Sequence, residues 1–272
     1  MTEPADQTQP QLGPRNRILS ALHGPTLERM RTSLRLVQLE ARRILYDVDE
    51  PIEHVYFPET AVTSVVAPMS DGSAVETAMI GCEGFVGLPV FLGASQMTAQ
   101  CFAQVPGTAY EMTADDFRRF VADRDDGLQR TLNRYTQGLF TQIAQSSGCN
   151  RRHDVRQRCA RWLLLTHDRV DSDTFPLTQR FLSQMLGVQR TTVTAAAKAL
   201  EETGCIVYRH GVITVSNRAA LEREACECYE IIRAEFDRLL DNRDVPSVFA
   251  DMPTSDNGDS VLGDAKHDEA LQ

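Results

Sequence analysis

The chain has 272 residues, of which 42% are apolar and 24% charged, and a formal net charge of −10. This fits one or two soluble globular domains and excludes collagenous, wholly disordered and coiled-coil-only chains. The longest nearly unbroken apolar stretch, residues 85–94, contains Gly and Pro, and the first 20 residues hold no apolar core behind a basic start; neither a membrane span of about 20 apolar residues nor a signal peptide is therefore expected, which leaves the cytoplasm as the default compartment.

Residues 1–14 are polar with Pro4, Pro10 and Pro14, the composition of a disordered leader. Helical periodicity follows over about residues 18–36, with a break at Gly24-Pro25. From 37 to 111 the period changes. Short β-branched runs alternate with turn residues: HVYF before Pro58, AVTSVVAPM before Ser70-Asp71-Gly72-Ser73, AVETAMI before Gly81. Asp-Gly between two apolar runs signals a hairpin, and several strands at this spacing predict a β-sandwich or small barrel. Residues 114–124 predict a short amphipathic helix with Thr113 as N-cap.

Leu128, Leu132, Tyr135, Leu139 and Ile143 then recur at spacings of four, three, four and four, one apolar stripe on a helix of about 20 residues. Two readings stand side by side: the stripe packs on its own β-rich half, or it is a dimer seam like a short coiled coil. Helix resumes at residue 153, with Val155, Cys159, Trp162, Leu163 and Leu165 on an apolar face, and residues 171–176 read as a loop. Two short helices follow. Next come a hairpin (CIVY at 205–208, a turn at Arg209-His210-Gly211, VITV at 212–215) and one amphipathic helix over about 218–240. The acidic remainder, rich in Asp, Ser, Gly and Pro, reads as disordered.

The mean charge hides an uneven distribution. Residues 150–219 carry eleven basic against six acidic side chains, and residues from 243 onward two against seven. A basic segment inside an acidic protein is a local electrostatic footprint. The seven cysteines (82, 101, 149, 159, 205, 226 and 228) are odd in number and scattered, with no CxxC pair. They predict free thiols rather than a disulfide framework, and no metal site. Cys226 and Cys228, two apart on one predicted helix, are expected to point to different faces.

The most informative stretch is LTQRFLSQMLGVQRTTVTAAAKAL at 177–200. Thr178 is a good N-cap, Gly187 can adopt positive φ, and Val188 plugs the corner. Val193, Ala196, Ala197 and Leu200 give a second helix its buried side. That is a helix-turn-helix pattern. The hairpin after it, with Arg209 and His210 at its tip, completes the order of a winged helix. Gln189, Arg190, Thr191, Thr192 and Thr194 lie at the start or on the outer side of the second helix. Arg pairs bidentately with guanine, Gln with adenine, and a threonine methyl meets the thymine methyl. Arg190 is the candidate base reader, followed by Thr191 and Thr194. Thr178, Gln179, Thr192, Arg209 and His210 are candidate DNA-positioning residues.

With these residues in view, the chain from about 18 to 240 resembles the Crp/Fnr family of bacterial transcription regulators. The β-rich run HVYFPETAVTSVVAPMSDGSAVETAMIGCEGFVG, the long helix, and the winged-helix run through RHGVITV carry the resemblance. It implies an α+β fold: an N-terminal β jelly roll of the cyclic-nucleotide-binding type, a dimerisation helix and a C-terminal winged helix-turn-helix. The implied division is a leader at 1–14, a sensor domain at 15–126, a dimerisation helix at 127–149, a DNA-binding domain with C-terminal helix at 150–240, and an acidic tail at 241–272. It also assigns the stripe of Leu128, Leu132, Tyr135, Leu139 and Ile143 to the dimer seam. The partners it implies are a homodimeric second copy and a two-fold symmetric double-stranded DNA operator, with RNA polymerase as a further candidate.

The departures concern the signal. Cyclic-AMP-binding relatives use a Glu for the ribose and an Arg for the cyclic phosphate; here those positions align with Leu88 and Met97, in a degenerate pocket of Phe85, Gly87, Leu88, Met97 and Thr98. A buried phosphate would lack its main charge partner, so tight cyclic-nucleotide binding is not expected. With no cysteine before Cys82 the oxygen-sensing iron–sulfur reading fails. His54, Cys82 and Cys101 are the sensor-half candidates for a haem ligand, and His54 reads as a strand-edge residue. Cys149 and Cys159 flank the hinge, as structural thiols or as a redox pair. Arg190 matches the family's guanine-reading arginine, whereas the glutamate and second arginine of relatives are Thr191 and Ala195.

No cofactor is implied. An enzyme is disfavoured, since the β-rich half holds only His54 for a cupin-type metal site and no nucleophile elbow or Walker loop is present. The alternative function is a small-molecule or redox sensor acting through a protein partner with weak DNA binding.

Overall fold

The computed structural model describes residues 15–22, 24–122 and 126–241; the expected leader at 1–14 and the tail beyond 241 lie outside the described residues. Two short helices come first, α1 (Arg17–Ser20) and α2 (Gly24–Arg31). Asn16 caps α1 by accepting from the Leu19 amide at 3.1 Å, and its own amide group donates to the carbonyls of Pro58 and Gly84. The helix is thereby tied to the β-rich half. α2 starts at the expected break but stops at Arg31, because residues 35–39 already pair as a strand.

Seven strands follow: β1 (Arg35–Leu39), β2 (Ile44–Tyr46), β3 (His54–Pro58), β4 (Val62–Pro68), β5 (Ala74–Ile80), β6 (Gln100–Val105) and β7 (Gly107–Thr113), with α3 (Leu88–Phe91) between β5 and β6. They form two antiparallel sheets, β1-β7-β3 and β2-β6-β4-β5. The Asp71-Gly72 hairpin joins β4 to β5 as the sequence predicts, with the Met69 amide donating to the Ser73 carbonyl at 2.8 Å. Thr113 caps α4 (Ala114–Ala122), accepting from the Asp116 amide at 3.1 Å.

The long helix α5 (Asp126–Arg152) leads to α6 (Val155–His167), which opens on a capping box of Asp154 and Gln157. The last part comprises β8 (Thr174–Pro176), α7 (Gln179–Leu186), α8 (Arg190–Glu202), β9 (Ile206–Arg209), β10 (Val212–Val215), α9 (Arg218–Glu224) and α10 (Cys228–Leu240). Among the described residues no helix is long and apolar enough to cross a membrane.

Three expectations need correcting. Residues 174–176, read as loop, form a strand on β10, with Phe175 buried opposite Ile213; three residues are too few to show alternation. The single helix expected at 218–240 is broken at Ala225, whose ψ of 158° is extended. Cys226 therefore sits in the bend and Cys228 opens α10, and both are buried instead of facing apart on one helix. The third correction concerns the dimer seam. Leu128, Leu132, Tyr135 and Leu139 are at most 5% exposed within their own chain, and α10 packs along α5. The buried stripe continues through Gln142 and Cys149, as a period of 3.6 requires, and leaves Ile143 41% exposed beside Phe140 at 68%.

One hydrophobic core runs through both halves. A chain of rings carries it across: Phe57 to Phe85 at 5.7 Å, Phe85 to Tyr135 at 5.7 Å, and Tyr135 to Phe236 on α10 at 6.3 Å. Gly138 lets α10 approach, since a Cβ there would lie 2.8 Å from the Phe236 ring. Beside the rings sits a buried ion pair. Arg169, just past α6, binds Glu83 from the loop after β5 at 2.8 Å, with 5% and 7% of their side chains exposed. The same guanidinium reaches the Leu165 carbonyl at 2.6 Å and Gln142 of α5 at 3.2 Å.

Removing one partner strands the other charge in the core. Glu83→Ala is expected to lower unfolding stability by about 3–5 kcal/mol in urea titrations, and the double variant Glu83→Ala with Arg169→Met to recover most of it. A single-variant loss below about 1 kcal/mol would contradict the burial argument.

Candidate nucleic-acid interface

The helix-turn-helix is built by local rules. Thr178 accepts from the Phe181 amide at 3.1 Å, capping α7 as predicted. α7 ends at Gly187 with φ of +62°, where its amide donates to Gln184 and that of Val188 to Ser183. Positive φ costs glycine nothing, and this left-handed residue turns the chain into α8. The Arg158 guanidinium on α6 donates to the Leu186 carbonyl and so ties the end of α7 down.

On α8, Val193, Ala196, Ala197 and Leu200 are buried, and Gln189, Arg190, Thr191, Thr192, Thr194 and Ala195 are exposed. Lys198 continues that exposed side one turn on, a residue the sequence reading passes over. Gln189 makes no side-chain capping bond. The Thr194 hydroxyl lies 2.8 Å from Gln179 Oε1 and 2.9 Å from the Arg190 carbonyl, and the Gln179 amide donates to the Tyr208 hydroxyl at 3.0 Å. Gln179 and Thr194 thus join α7, α8 and the wing to each other. β9 and β10 meet at His210 and Gly211, both with positive φ, +50° and +78°, the geometry of a two-residue hairpin turn. Arg209 and His210 are exposed at its tip.

Comparison with known proteins gives the arrangement a context. Residues 36–124 match the family model of the cyclic nucleotide-binding domain, and residues 157–224 that of the Crp-like helix-turn-helix domain. The chain belongs to the Crp/Fnr family of transcription regulators. Among solved structures it is similar to FixK2 from Bradyrhizobium japonicum, with a TM-score of 0.60 at 20% identity over 71% of this chain and 98% of that one. A CRP-family transcriptional regulator from Thermus thermophilus matches with a TM-score of 0.58 at 18% identity, over 70% and 96%. The c-di-GMP-responsive global regulator CLP of Xanthomonas campestris matches with 0.57 at 14%, over 72% and 100%. At these identities the likeness is one of fold. No curated protein sequence matches the chain.

In this Crp/Fnr chain the residues expected around a degenerate ligand pocket differ in burial. Phe85 is a fully buried core ring, stacked 5.3 Å from Phe117. Gly87 adopts φ of +132° against Val55, Leu88 is half-buried at the start of α3, and Met97 and Thr98 are exposed before β6. The Met97 carbonyl accepts from the Asp49 amide at 2.9 Å. Cys101 is buried in β6, which pushes its thiol up to about 12. A cleft of about 400 Å³ lies between the four-stranded sheet and α7, lined by residues that include Arg42, Phe102, Thr178, Arg180 and Phe181.

The contact between sensor and DNA-binding halves is polar at its centre. Trp162 of α6 donates to Glu76 of β5 at 2.9 Å, and the Ser64 hydroxyl donates to the same carboxylate at 2.6 Å. Gln104 reaches Thr166 of α6 at 3.4 Å. Phe181 of α7 sets its ring edge-on to Phe102 of β6 at 6.0 Å, and Gly187 lies over Val75. Burial pushes the Glu76 carboxyl up to about 7, against the Ser64 and Trp162 hydrogen bonds and the charges of Arg161 and Arg169, which pull it down. Sequence reading missed Glu76, because a lone acid on a strand carries no local sign of the helix that will cover it.

A carboxyl raised from its ordinary value favours the fold below pH 4.5, and that advantage is lost as pH climbs to about 7. Glu76→Gln keeps an acceptor for Trp162 and removes the charge. Discounted for partial solvent access, it should gain about 1–2 kcal/mol over the parent at pH 8 and nothing near pH 4.5. Thermal melts across that range check this; equal effects at both ends would refute it.

Proposed function

We propose that the protein is a sequence-specific DNA-binding transcription regulator that grips a two-fold symmetric operator as a homodimer. The observation that carries this reading is the free outer face of α8. Arg190, Thr191 and Thr192 are exposed at its first turn, where helical N–H groups and the helix dipole favour phosphate. In this reading Arg190 reaches a guanine edge, with Thr191 and Thr194 nearby in the major groove. Thr178, Gln179, Gln189, Thr192 and the wing tip, Arg209 and His210, set the register on the backbone. Thr178, whose side-chain oxygen caps α7, does so through its backbone amide, and Gln179, whose backbone amide donates to Tyr208, through its side-chain Nε2.

The dimer seam lies on the outer face of α5. Asn133, Gln137, Phe140, Ala144 and Ser147 follow at spacings of four, three, four and three and are all exposed, a heptad pattern on the side away from α10. Ile143 borders it. Two copies joined there present two α8 helices to half-sites about 34 Å apart. The sensor half, with Leu88 and Met97 where relatives hold a ribose-binding Glu and a phosphate-binding Arg, responds to something other than a cyclic nucleotide phosphate.

Two measurements test this. Arg190→Ala should cost about 1–3 kcal/mol in operator affinity and relax specificity at one base pair; an equal loss on every sequence would remove its base-reading role. Phe140→Arg should convert the dimer to monomer in sedimentation, with little change in melting temperature. If that variant stays dimeric, the seam is elsewhere.

A further inference from the structure

The end of α5 and the bend between α9 and α10 bring four ligand-type side chains together. Cys149 lies on the last turn of α5 and His153 just beyond it; Cys226 sits in the bend and Cys228 is the first residue of α10. The Cys149 and Cys226 sulfurs are 3.5 Å apart, and Cys228 Sγ is 3.5 Å from His153 Nδ1. All four ligand atoms lie within 4.8 Å of one another. We propose that Cys149, His153, Cys226 and Cys228 form a Cys₃His site for a single zinc ion.

The dimensions suit one ion. Zinc bonds of about 2.3 Å to sulfur and about 2.0–2.1 Å to nitrogen, set tetrahedrally, hold ligand atoms about 3.5–3.8 Å apart. The four atoms already stand close to that spacing. An iron–sulfur cluster attaches its ligands to different irons and needs them spread more widely. A disulfide would use Cys149 and Cys226 and leave the convergence of Cys228 and His153 unexplained.

The surroundings suit it too. His153 Nε2 lies 3.2 Å from a Glu227 carboxylate oxygen. A proton on Nε2 donated to Glu227 leaves the Nδ1 lone pair facing the sulfurs, the usual outer partner of a metal-bound histidine. Glu227 stands between the two cysteines, so Cys-Glu-Cys supplies two ligands and the residue that orients a third. The Gln145 side-chain amide donates to Cys228 Sγ at 3.2 Å. Three thiolates and Zn²⁺ carry one net negative charge; Arg161, whose buried Nε has no hydrogen-bond partner among the described residues, and Arg158 are the cations beside it. Zinc binds the three cysteines as thiolates, and their protons go to solvent as it binds.

The site would pin the start of α10 to the end of the helix along which α10 packs, at the point where the chain leaves α5 for α6. The metal assignment does not depend on DNA binding. Its test is zinc content of the full chain, purified reduced and without a histidine tag, together with titration of metal-free protein with cobalt chloride. The expected results are about one zinc per chain, a visible cobalt spectrum of tetrahedral, thiolate-rich type, and its loss on adding one equivalent of zinc chloride. Cys228→Ser should lose the zinc, and Cys159→Ser, which alters a buried thiol outside the cluster, should keep it. Glu227→Ala, at a half-exposed position, should fold and bind zinc roughly 10–100-fold more weakly. Wild-type protein with no zinc and no cobalt spectrum, with a Cys149–Cys226 disulfide in its place, or with iron and acid-labile sulfide would overturn the proposal, whatever the variants do.

Discussion

Arg169 is buried where three parts of the chain meet, and its position depends on Glu83. A guanidinium in a protein interior is tolerated only with a charge partner and filled hydrogen bonds. Glu83, Gln142 and the Leu165 carbonyl supply these from the sensor half, the long helix and α6. The pair therefore fixes the angle of α6 against the β-sheets. The ring series from Phe57 to Phe236 runs beside it and extends the same junction to α10. With α6 placed, the turn at Gly187 and the packing of Val193 and Leu200 leave α8 one orientation, its polar face outward.

The junction explains how a change in the sensor half can reach the DNA-binding half without a flexible linker. Glu76 and Gln104 of the four-stranded sheet bond directly to α6, Ser64 links the two within the sheet, and Phe102 meets α7. A shift in that sheet moves polar partners whose loss is costly in a half-dry contact.

What the sequence made legible was local. Thr178, Gly187, Val188 and the Arg209-His210-Gly211 turn each state a backbone requirement within a few residues, and the helix-turn-helix and wing follow from them. The Asp71-Gly72 hairpin and the Thr113 cap were equally readable. The stripe on α5 showed an apolar face but not what covers it; Tyr135 meets both Phe85 of the β-rich half and Phe236 of α10, the latter about a hundred residues further on. Glu83 and Arg169 stand 86 residues apart, and Cys149 stands 77 from Cys226. The cysteine pattern misled for a specific reason. Cys226 and Cys228 face apart on a continuous helix, and only the break at Ala225 turns both inward.

The central claim, that paired α8 helices read DNA, is tested most directly by selecting bound sequences from a random duplex pool with the purified full chain. The account predicts a two-fold symmetric motif with half-sites about 10–10.5 base pairs apart, or a multiple of that, centre to centre. Recovery of no motif, or of a single asymmetric element bound by one copy, would contradict it.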